Sequence, residues 1–150
     1  MDFPQDCKTD LERAEYAQGI VEELNLEHQN RAAEVQAGTL TTAEFKLWEK
    51  GNKQNPESVK NSWLNRWKHA SHVASLYMEG AGLKGKKDLD LESEEGKAHE
   101  QAVKAFKEKA KDNNKWKTKL KETDNKDLVA PWDKSMNKEY DKLQARVRGE

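Results

Sequence analysis

The chain has 150 residues; 37% are charged and 34% apolar, and 27 basic and 28 acidic side chains leave a net charge of −1. Leu, Ile, Val and Phe number only 24, below the roughly 20% share at which disorder becomes a prospect, but the near-neutral balance lacks the high net charge of a disordered chain. These numbers predict a folded chain with a thin core that draws on partners, and they exclude both a membrane span of ~18 apolar residues and a strand-rich fold, which needs β-branched side chains.

Residues 1–8 read as a flexible lead around Pro4. They show no basic start running into an apolar stretch, so no secretory leader is expected. The lone Cys7 cannot form an internal disulfide and favours a reducing, intracellular setting. Thr9 and Glu12 have the spacing of a capping box. A helix is expected from there to Ala37, with Ala14, Ala17, Val21, Leu24, His28, Arg31 and Val35 on one narrow seam. Gly38 sits where a C-cap glycine belongs. Thr41 and Glu44 form a second capping box, and Leu40 with Phe45 has the spacing of a hydrophobic staple. The turn at 38–40 therefore predicts an antiparallel helical hairpin, with a short second helix over 42–50 closed by Gly51.

Asn55 and Pro56 open a third helix as N-cap and first residue. Its stripe is Val59, Trp63, Trp67, Ala70, Ala74 and Tyr77, widened by Leu64, Val73 and Leu76, which places it at the centre of the bundle. Gly80, Gly82 and Gly85, then a run of charges, predict a mobile loop over 80–92. A long Lys-rich fourth helix is expected over 93–122 with His99, Ala102, Phe106, Lys109, Asn113, Trp116 and Leu120 as its stripe. After a break at 124–131, a last helix near Trp132 would use Met136, Tyr140, Leu143 and Val147. The expected fold is all-α, a bundle of about five helices: a lead at 1–8, a helical core at 9–79, a loop at 80–92 and a C-terminal segment at 93–150. That segment belongs to the same domain or forms a docking arm.

Catalytic and cofactor motifs are absent. The Gly80–Gly85 run follows a predicted helix rather than a strand, so it lacks the setting of a phosphate-cradling loop. His69 and His72 share a helix face, but no metal-ligand spacing accompanies them. No catalytic, cofactor or metal residues are expected.

Charge is unevenly distributed: residues 1–50 hold 5 basic and 11 acidic side chains, and residues 97–126 hold 10 lysines and 5 acids. Such asymmetry aligns subunits head to tail or sets an acidic helix beside a basic one. Trp48, Trp116 and Trp132 are the candidate anchors of a protein interface, where tryptophan is enriched; equally, they could close the edges of the core, since each offers large burial with one N–H to satisfy. The expected function is that of a non-enzymatic structural, scaffold or adaptor subunit. Its partners would be copies of itself or other proteins, in the cytoplasm, another reducing compartment or a virus or phage particle. The alternative is a nucleic-acid accessory protein using Lys104, Lys107, Lys111, Lys115 and Lys119, with Trp116 stacking on a base. A third reading is a small enzyme with a motif-free site near Gly80–Gly85.

Overall fold

The computed structural model describes residues 3–88, 90, 92–122 and 138–148, the side chains of 83–88, 114 and 116–122 excepted. The described residues form α1 (Asp10–Ala37), α2 (Thr42–Lys50), α3 (Pro56–Lys60), α4 (Trp63–Asp88) and α5 (Glu94–Glu122). A sixth helix, α6, covers 138–148, and none of the described residues lies in a strand.

The helix starts follow from local chemistry. Thr9 Oγ1 accepts the Glu12 N–H at 3.1 Å, and Thr41 Oγ1 accepts the Glu44 N–H at 3.1 Å. In both boxes the glutamate carboxylate accepts the threonine hydroxyl, at 3.0 and 2.8 Å, instead of reaching back to the backbone. Gly38 ends α1 in the left-handed conformation, φ 80°, with its N–H on carbonyls of the last turn. Gly51 ends α2 at φ 77°, and a Cβ there would lie 2.7 Å from the Ser58 backbone, so glycine is required at this corner.

α1 and α4 form the antiparallel centre. Ala14 and Ala17 cluster with Val73, Ala74 and Tyr77, while Val21 and Leu24 cluster with Trp63, Leu64 and Trp67. The small residues of α1 let the larger side chains of α4 close the gap, as dense packing requires. Every apolar position of the predicted third-helix stripe is buried. The α1 seam is buried from Ala14 to His28, but Arg31 and Val35 are only half-buried.

Expectations are corrected at the third helix, the loop at 80–92 and the fourth-helix stripe. The predicted third helix is two helices, because the Val59 carbonyl is taken by the Ser62 N–H, the Ser62 hydroxyl and Asn65 Nδ2 at 3.2, 2.7 and 2.6 Å. Ser62 then caps α4 by accepting the Asn65 N–H at 3.3 Å. The predicted loop at 80–92 is helical through Asp88. Gly80 is a packing residue there: a Cβ would lie 2.5 Å from Val147 Cγ1 and 2.9 Å from Asp10 Oδ2. Among the described side chains of α5, Val103, Phe106 and Asn113 are buried along with Gly96, whereas Lys109 is exposed. The stripe is set by contact with α4 rather than by strict heptad spacing. In the lead, Phe3 packs edge-on against Tyr16 and Tyr77 at 5.8 and 5.2 Å between ring centres. The predicted last helix is present at 138–148 with Tyr140 buried; Trp132 and Met136 lie outside the described residues.

Candidate interaction surfaces

Of the three predicted tryptophan anchors, Trp48 alone falls among the described side chains. Trp116 and Trp132 lie outside them, as does the side chain of Lys119. Trp48 is half-buried and packed against the cluster of Trp63 and Trp67. α2 folds back so that Phe45 and Trp48 reach His28, with ring centres 5.2 and 6.1 Å away. Trp63 lies 4.4 Å from the same imidazole. The Arg31 guanidinium sits 5.3 Å over the Trp48 ring, a cation–π contact. His28 Nε2 meets the Glu49 carboxylate directly. The two polar breaks in the α1 seam, His28 and Arg31, are thus the residues that hold α2 in place.

The indole N–H groups of the core are satisfied, as buried tryptophans require. Trp63 donates to the Leu24 carbonyl at 2.7 Å, and Trp67 donates to Asn25 Oδ1 at 2.8 Å. α1 and α5 are joined by a reciprocal pair of buried amides: Gln18 Nε2 donates to Asn113 Oδ1 at 3.3 Å, and Asn113 Nδ2 donates to Gln18 Oε1 at 2.8 Å. Sequence reasoning missed Gln18. Its partner Asn113 was on the predicted stripe, but no spacing pointed from it to Gln18.

α6 docks on α4 through three points. Tyr140 is 6% exposed and its hydroxyl lies 2.8 Å from His69 Nδ1. Its ring centre is 3.9 Å from that of His72. Arg146 donates to the Tyr77 hydroxyl at 3.2 Å, and Arg148 donates twice to Glu79 Oε1 at 3.0 and 2.7 Å. Burial pushes the His69 pKa down, with neighbouring His72 adding to the effect and Glu139 opposing it. Burial, then Glu139, pushes the Tyr140 hydroxyl up. Both shifts favour the uncharged imidazole and phenol where the two groups meet, and the ring tautomer sets which of them donates.

Because the folded-state pKa of His69 is depressed, its neutral form stabilises the docked helix fully above the ordinary value of 6.5. That contribution is lost as pH falls below this value, where the unfolded state takes up the proton first. The melting temperature should drop from pH 7.5 to pH 5, and His69→Gln should flatten the drop in a circular-dichroism melt. An equally steep fall in the variant would exclude His69 as the source.

Lys104, Lys107, Lys111 and Lys115 are exposed on α5. Three have a carboxylate close on the same helix: Lys104 with Glu100 at 3.8 Å, Lys111 with Glu108 at 2.7 Å and Lys115 with Asp112 at 3.6 Å. Lys107 and Lys111 edge a cleft of about 220 Å³ between α4 and α5, opposite Ser71 and Ser75. Both serine hydroxyls turn their protons inward, to the Lys68 and Ser71 carbonyls at 3.5 and 3.0 Å. The cleft thus offers an anion lysine charge without serine donors.

The remaining chemistry is sparse. Partial burial, then Asp6 and Glu12, pushes the Cys7 thiol pKa up, which disfavours the nucleophilic thiolate. His99 Nε2 donates to the Ala81 carbonyl at 3.1 Å. Among the described residues no group of three or more His, Cys, Asp or Glu could hold a metal ion. No helix among them is long and apolar enough to cross a membrane.

Among the described residues, the most exposed large apolar side chains are Leu26 on α1 and Leu47 on α2, 58% and 54% exposed. Sequence reasoning named neither. Leu26 follows Glu22 and Glu23 by four and three residues, so all three share one exposed face. Leu47 lies on the side of α2 away from Phe45 and Trp48, with exposed Ala43 one turn before it.

Comparison with protein-family models, with curated proteins and with solved structures finds no match to this chain.

Proposed function

We propose that this chain is a non-enzymatic helical protein that works through protein–protein contacts, as a structural, scaffold or adaptor subunit of a larger assembly or homo-oligomer. A virus or phage particle is one such assembly. The observation that supports this reading is the outward placement of Leu26 and Leu47 among charged residues, while Trp48, Trp63 and Trp67 close the chain's own core. Apolar side chains ringed by charge are the pattern of an interface core with a polar rim. The mechanism is burial of these helix faces against another subunit.

A second reading, a nucleic-acid accessory protein, is favoured by the exposed row Lys104, Lys107, Lys111 and Lys115. One experiment separates the two. In a gentle extract of the cell or particle that carries it, the chain should elute from a sizing column well above its own 17.3 kDa, and nuclease treatment should leave that size unchanged. Elution at the monomer position would sink the assembly reading. Collapse to the monomer after nuclease would replace it with the nucleic-acid one.

A further inference from the structure

The two outward leucines sit in surroundings of opposite charge. Leu47 and Ala43 floor a shallow depression of about 370 Å³ that ends at Gly51, and Lys46, Lys50 and Lys53 rim it. Lys46 and Lys53 are exposed, while Lys50 is half-buried beside Glu49 at 3.8 Å. Leu26 stands out from α1 behind Glu22 and Glu23, both exposed. One patch is a basic rim around an apolar hollow; the other is an apolar projection flanked by acids.

The two patches cannot meet within one chain. Leu26 is two residues from His28, about 200° around an α-helix, and His28 is the residue that faces α2 through Phe45 and Trp48. Leu26 therefore points away from the helix that carries Leu47.

Resting on the assembly reading above, we infer that the partner is a second copy of this chain, with Leu26 of one copy seated in the Leu47 depression of the next and Glu22 and Glu23 facing Lys46 and Lys53. The leucine is the anchor, and the charges set which patch it enters and exclude the like-patch pairings. Different surfaces meet, so the contact is heterologous. It closes into a ring or repeats as a filament, according to the rotation between copies; only where both pairs form at once across a two-fold axis is the result an isologous dimer.

The test uses the full chain and two charge-reversed variants at exposed positions. One carries Lys46→Glu with Lys53→Glu, which makes both patches acidic. The other carries Glu22→Lys with Glu23→Lys, which makes both basic. Far-ultraviolet circular dichroism matching the parent confirms that each folds. Light scattering at about 100 µM protein, within reach of a contact of micromolar affinity, reads the mass. The parent should be at least twofold above 17.3 kDa, each variant alone should be monomeric, and an equimolar mixture should recover the parent's mass.

A parent that assembles while both variants also assemble would overturn this inference and leave the assembly reading standing, through other surfaces. A mixture that stays monomeric would overturn it as well. A parent monomeric when pure but large in the extract would mean a different partner, again removing only this inference. A parent monomeric in both settings would remove both.

Discussion

Replacing Trp63 with alanine should destabilise the protein by about 3–5 kcal/mol, the usual cost of emptying a buried aromatic site. For a domain of this size that is a fall of roughly 6–20 °C in melting temperature. Trp63 is fully buried. Its indole stacks beside Trp67 at 6.2 Å, contacts His28 at 4.4 Å and lies 6.3 Å from Trp48. Its N–H is bound to α1 at the Leu24 carbonyl. Removing it therefore loosens α1, α2 and α4 together. A chain with so few large apolar residues has little reserve, so partial unfolding at 37 °C is expected. Trp63→Phe keeps a ring but loses the hydrogen bond, which contributes about 1 kcal/mol, and it should cost markedly less. A melting point for Trp63→Ala within about 2 °C of the parent would contradict this account of the core.

The second large effect is at Gly80. Valine there would place its Cβ against Val147 Cγ1 and the Asp10 carboxylate at 2.5 and 2.9 Å. Asp10 has little room to move, being 6% exposed and paired with Arg13 at 3.1 Å. Overpacking of this kind costs about 1–3 kcal/mol, only partly offset by the better helix propensity of valine. The strain is relieved by moving α6, the peripheral element. A five- to thirtyfold rise in its undocked fraction corresponds to about 1–2 kcal/mol. Trypsin should then cut faster after Lys142, Arg146 and Arg148, read by mass spectrometry, while the helicity of the rest is retained. Gly82→Ala is the control, because nothing lies within 4 Å of a Cβ there. In a helix with open space, that change should stabilise by about 0.5–1 kcal/mol. Unchanged cleavage in Gly80→Val would show that α6 is held elsewhere.

These two glycines illustrate what could be read without coordinates. Both look like loop punctuation in a run with Gly85, and only the neighbours of Gly80 distinguish close packing from a break. Trp48 was legible as a residue that closes the core's edge or anchors an interface, and Phe45, His28 and Arg31, gathered around it from two helices, decide for its own core. Leu26 and Leu47 escaped notice because single apolar residues on polar helix faces are common. Their significance lies in exposure and in the sign of the charges beside them.

By itself the sequence determined the all-α class, the starts of α1, α2 and α3, and the ends of α1 and α2. Those are settled by hydrogen bonds between residues three or four apart, and Thr, Asn, Pro and Gly at those places leave few alternatives. The central stripe of α4 was equally legible, because Trp, Leu, Val and Ala at helical spacing bury one face whatever the partner. The break at Asn61–Ser62 is local too, made by Ser62 and Asn65 on the Val59 carbonyl, but its polar residues do not stand out beside the apolar stripe. The tertiary structure alone decided the helix through Gly80 to Asp88, the choice of Val103 over Lys109, and the Gln18–Asn113 amide pair, 95 residues apart. Each depends on how closely a second helix approaches and which atoms it brings, and no spacing within one helix encodes that distance.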